Sequence, residues 1–91
     1  MTTLQRLETA EIRRGLSRAL KCVRCGDHAA AIELLRGMAA KLQDEGWRVL
    51  ALELQLVAAE LSNEDVAAAM QHWYWCWGYS AGVDHMQRQR A

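Results

Sequence analysis

With 91 residues, the chain is long enough to build one hydrophobic core and too short for two, so a single domain is expected. Hydrophobic residues make up 52% and charged residues 24%, which excludes the low-hydrophobicity, high-charge composition of disordered chains. A formal net charge of zero excludes a global field that would drive the whole molecule onto nucleic acid or anionic lipid.

The charges are unevenly placed. Residues 1–25 hold six Arg or Lys against two acidic residues, residues 26–87 hold three against nine, and Arg88 and Arg90 follow. Proline and phenylalanine are absent, while Ala, Leu, Gln, Arg and Glu recur; these residues lose little entropy in a helix, so an all-α fold is expected. No N-terminal stretch joins a basic start to an unbroken apolar run, and none approaches the roughly 20 apolar residues that span a bilayer. A cytoplasmic protein with no membrane contact is the expectation. Three cysteines form an odd set without a secretory leader, so reduced thiols are expected.

The first helix is signalled from Ile12, because Ile12, Leu16, Ala19, Leu20 and Val23 share one face and Arg14, Arg18 and Lys21 the opposite one. Leu4 and Leu7 either extend it backward, with Thr2 and Gln5 at capping-box spacing, or form a separate first turn. Gly26 ends it, since glycine takes a left-handed cap without steric penalty. Asp27 caps a second helix striped by Ala31, Ile32, Leu35, Met38, Ala39 and Leu42, ending at residues 44–46. A third helix carries Val49, Leu50, Leu52, Leu54, Leu56, Val57 and Leu61; so broad an apolar surface predicts a central, sandwiched position. Residues 62–65 break the pattern, with Ser62 and Asp65 at capping-box spacing before a fourth helix, which Gly78 and Gly82 weaken toward its end. One domain over residues 1–86 and a polar, frayed tail over 87–91 complete the expected layout.

A self-comparison finds Asp27-His-Ala-Ala-Ala-Ile32 again as Asp65-Val-Ala-Ala-Ala-Met70, an offset of 38 residues that also sets Leu16 on Leu54. Each copy opens the second helix of a hairpin, and spacings of this size are typical of helical-hairpin repeats. The sequence predicts a four-helix array of two antiparallel hairpins. Gly26-Asp27-His28-Ala29-Ala30-Ala31-Ile32-Glu33-Leu34-Leu35 resembles the turn and second helix of a tetratricopeptide repeat. Ala31 stands at its small packing position, Leu35 at its large one, and Ala19 at the small position of the first helix. The aromatic and the leucine expected on that first helix are replaced by Gly15 and Arg18, and the spacing is 38 rather than 34 residues. The resemblance implies a TPR-like array that holds a partner protein, as small co-chaperones of bacterial type III secretion hold an aggregation-prone export subunit.

The densest chemical feature is Trp73-Tyr74-Trp75-Cys76-Trp77-Gly78-Tyr79. Val66, Met70, Trp73 and Trp77 share one helical face and should anchor the fourth helix on the core. Trp75 points about half a turn away, with His72 and Tyr79 beside it. Either a partner covers this second aromatic face or Leu4 and Leu7 fold back over it. Trp75, Tyr79, Tyr74 and His72 are therefore the candidate partner-binding residues, for another protein or for a second copy of the chain.

Two weaker readings accompany this one. Cys22-Val-Arg-Cys25-Gly26 has zinc-knuckle form, and His72 and Cys76, one turn apart, would complete a four-ligand set; the default remains no metal and no cofactor. Arg14, Arg18 and Lys21, flanked by Arg13 and Arg24, offer a basic surface for nucleic acid, which would make the chain a small DNA-binding transcriptional regulator. No convincing helix-turn-helix supports that alternative. No nucleophile-and-base arrangement, phosphate-binding glycine loop or metalloprotease helix occurs, so an enzyme is not expected.

Overall fold

A computed structural model describes the chain from Thr9 to Arg90, with residues 9, 80–81 and 83–90 described by backbone alone. The expectations for Thr2, Leu4, Gln5 and Leu7 lie outside these residues. Four helices follow one another: α1 (Thr9–Arg24), α2 (His28–Asp44), α3 (Arg48–Ser62) and α4 (Val66–Arg90). Helical backbone thus runs on through residues 87–90, the stretch whose polar sequence suggested a tail.

One turn design joins all four helices. At its centre Gly26, Gly46 and Glu64 take left-handed φ values of 81°, 89° and 60°. In each turn that residue's N–H donates to the carbonyl three residues back, and the next N–H donates to the carbonyl five residues back, as in Asp27 to Cys22 at 2.9 Å. This is the Schellman closure, which satisfies the last helical carbonyls. Asp27 and Asp65 then start the next helix by accepting the N–H of Ala30 and Ala68 on their Oδ1 atoms. Asp65 is itself the cap of α4, whereas Ser62 belongs to the end of α3, so the expected capping box does not form. Glu64 occupies a conformation costing a non-glycine residue about 1 kcal/mol. Glu64→Gly should therefore raise stability by about 0.5–1 kcal/mol and Gly26→Ala should lower it by at least as much; urea denaturation of the two variants checks both signs.

The buried core takes residues from every helix: Ile12 and Leu16 from α1, Leu35 and Leu42 from α2, Leu50, Leu54 and Leu61 from α3, and Ala69, Trp73 and Cys76 from α4. Ala19, Ala31, Ala39, Ala51, Ala58 and Ala69 are also buried, which lets the helix axes approach closely. The 38-residue echo matches this burial: Ile12 with Leu50, Leu16 with Leu54, Ala31 with Ala69 and Leu35 with Trp73 are core residues in both hairpins.

Packing runs from α1 to α2, α2 to α3, α3 to α4 and α4 back to α1, with no diagonal contact among the described residues. In this ring α3 lies between α2 and α4 in the two most extensive interfaces, the sandwiched position its apolar surface predicts, but it is not enclosed on every side. Its inward face is filled by Leu50, Ala51, Leu54, Val57, Ala58 and Leu61, and its outward face leaves Val49 54% and Leu52 56% exposed.

Candidate functional site

The aromatics of α4 divide by helical phase. Trp73 is buried, donates its indole N–H to the Leu16 carbonyl of α1 at 3.2 Å, and stacks on Trp77 with centroids 5.4 Å apart. The Arg13 guanidinium lies 4.6 Å over the Trp77 ring, a cation–π contact that ties α1 to α4. These two tryptophans form the anchoring face expected of them, with Met70 half-buried beside the core and Val66 at the exposed end.

Trp75 lies on the side of α4 that turns toward α3. It stacks on Tyr79 at 5.1 Å, and Tyr79 meets Trp47 edge-on at 6.5 Å. One turn earlier, His72 Nδ1 and Glu53 Oε2 are 2.7 Å apart. The Glu53–His72 and Trp47–Tyr79 contacts fix the antiparallel register of α3 and α4, setting Val49 about level with Cys76 and within one turn of Trp75. Trp75, Tyr79 and His72 therefore belong to one surface. Tyr74, about 100° further round the helix, does not: it is 66% exposed and leans edge-on against Trp73 on the other side.

The resulting face is uncharged over most of its area. Residues 66–83 of α4 include no Asp, Glu, Lys or Arg; its exposed positions beside Trp75 are Ala67, Gln71, Gly78 and Gly82. Beside them α3 exposes Val49 and Leu52. A hollow of about 250 Å³ lined by Glu45, Gly46, Trp47 and Tyr79 adjoins the aromatic cluster. Trp47, Val49, Leu52 and Glu53 were not singled out from sequence. Val49 and Leu52 looked like core residues because a broad apolar surface does not reveal which part faces inward.

Cys76 is fully buried, and desolvation, with the nearby Glu53 charge as a smaller cause, pushes its thiol up to about 12. Among the described residues no three His, Cys, Asp or Glu side chains come together to hold a metal. The Trp73–Leu16 bond explains why Cys22, Cys25, His72 and Cys76 do not assemble: it sets Cys76 near the height of Arg13, some nine residues, or roughly 13 Å of helix, from Cys22. Arg14, Arg18 and Lys21 are all exposed on α1, and among the described residues no ion pair neutralises them.

The fold and surface define an all-α helical-hairpin domain with an uncharged aromatic face and, among the described residues, no helix long and apolar enough to cross a membrane. Compared with protein-family models, curated proteins and solved structures, the chain has no match.

Proposed function

We propose that this chain is a non-enzymatic protein-interaction module, an adaptor or chaperone that holds an apolar helix or peptide of a partner protein. The partner lies along the outward face of α3 and α4. Between the hairpins, α1 and α4 frame a hollow of about 490 Å³ whose lining includes Arg13, Arg14 and Arg18, a poorer fit for an apolar segment. The reading rests on one observation: Val49, Leu52 and Trp75 are exposed beside a stretch of α4, residues 66–83, that has no Asp, Glu, Lys or Arg. Large apolar side chains clustered on so small a domain fit a binding surface better than a solvated one. Trp75 serves as the anchor, held in one orientation by its stack on Tyr79, and Glu53 and His72 supply the polar contact that sets register. The resemblance to tetratricopeptide hairpins favours the same class of work, and a secretion co-chaperone would be one form of it.

Trp75→Ala should leave helicity and elution volume unchanged and weaken partner binding by about 30-fold or more. The check is capture of the partner from native cells, its identification, and titration of purified partner against both proteins. Equal affinity of the two would sink the assignment of this surface.

A further inference from the structure

The opposite side of the ring holds a different surface. A groove of about 690 Å³ runs between α1 and α2 over Leu34, Gly37 and Met38. Gly15 is close-packed, because a Cβ there would strike the Met38 methyl. Gly37 is not: it is exposed, and a Cβ would meet nothing within 4 Å. A glycine inside an exposed helix destabilises it, and no contact among the described residues requires this one. Along the same outward stripe of α2, Glu33 stands one turn before Gly37 and Lys41 one turn after it, both exposed. Neither has an ion-pair partner among the described residues.

We infer that this stripe binds a second copy of the chain, with α2 antiparallel to α2 and the two-fold axis passing at Gly37. A two-fold interface must be complementary to itself. Reversing α2 about Gly37 sets Glu33 against Lys41 of the second copy and Lys41 against its Glu33, so each charge meets its opposite twice. Gly37 on the axis allows the two backbones a close approach that any side chain would block. The second α2 then lies over the groove and covers the half-buried Leu34 and Met38. The Gly15–Met38 contact sets Glu11 of α1 near Lys41 and Arg18 near Glu33, so each charge of the pair is flanked by an opposite charge from α1. Charge complementarity is what selects a second copy as the occupant. The dimer leaves the α3–α4 faces outward at its two ends, and dimerisation stands or falls independently of partner binding there.

Sedimentation of the full chain at low salt tests this. Wild type should be a dimer that weakens with added salt. Glu33→Lys and Lys41→Glu should each raise the dissociation constant by about tenfold or more, because symmetry doubles every change. The double variant Glu33→Lys/Lys41→Glu should dimerise again, and an equimolar mixture of the two single variants should form a heterodimer. Gly37→Leu should remain as helical as wild type, since leucine favours the helix, yet be monomeric. A monomeric wild type, charge variants that dimerise unchanged, or a dimer broken by Trp75→Ala instead would overturn the proposal.

Discussion

Replacing Trp73 by alanine is expected to destabilise the domain by about 3–5 kcal/mol. That is a large part of the 5–15 kcal/mol typical of folded proteins. Trp73 is the largest side chain in the core, and it is 8% exposed. Three losses combine on truncation: the apolar surface buried in the core, the stack on Trp77, and the indole hydrogen bond to the Leu16 carbonyl. The last also ties the ring closed, because α1 and α4 are not neighbours in sequence. Trp73→Phe separates these contributions. It keeps a ring in the same place and gives up the hydrogen bond and part of the area, so it should cost well under half as much. Urea unfolding followed by circular dichroism measures both; an alanine variant within about 1 kcal/mol of wild type would show that Trp73 does not anchor α4.

Helix positions and turns were legible because they depend on local chemistry. Glycine and aspartate at 26 and 27 stop one helix and start the next wherever the rest of the chain goes, and the same holds at 46 and 65. The left-handed turn at Glu64 was not legible, since glutamate carries no signal for that conformation; only the 38-residue echo, which sets Glu64 on Gly26, hints at it. Ring closure was also hidden. Periodicity says how much of α3 is apolar, whereas contact with α2 and α4 decides how much of it is covered. A helix with an apolar surface on most sides reads as sandwiched, and α3 has α2 and α4 as its neighbours, yet it leaves Val49 and Leu52 to solvent.

The aromatic segment shows the same division. Spacing alone separates Trp73 and Trp77 from Trp75, because residues four apart share a face and residues two apart do not. Spacing does not supply the neighbours of Trp75. Trp47 enters the cluster from the turn before α3, and Glu53 reaches His72 from α3; both contacts depend on the antiparallel register of two helices. Tyr74, adjacent to Trp75 in sequence, falls on the other flank for the same geometric reason.

Cys76 sits on the inward side of this segment, and its burial makes it the least reactive of the three thiols. Cys25 is exposed in the first turn and Cys22 is half-buried, so iodoacetamide should modify Cys25 first and Cys22 more slowly under native conditions. Cys76 should react only through opening of the fold, slower than Cys25 by about 10³-fold or more. Mass spectrometry with time resolution reads the order, and a third adduct that grows in with the second would refute the burial. The same burial has a pH consequence. Desolvation, and behind it Glu53, raises the folded-state thiol from 9.0 to about 12. The contribution is complete below pH 9, where the thiol is protonated both folded and unfolded. Above that the unfolded chain loses a proton that the folded chain keeps, so stability falls through the range from 9 to 12. One proton limits the slope to about 1.4 kcal/mol per pH unit. Tyrosines and lysines also ionise in that range, but they are common to wild type and Cys76→Ala, so the difference between the two stability profiles isolates the thiol. Wild type should lose stability more steeply than Cys76→Ala above pH 9, and parallel profiles would mean that the thiol ionises as readily in the folded chain as in the unfolded one.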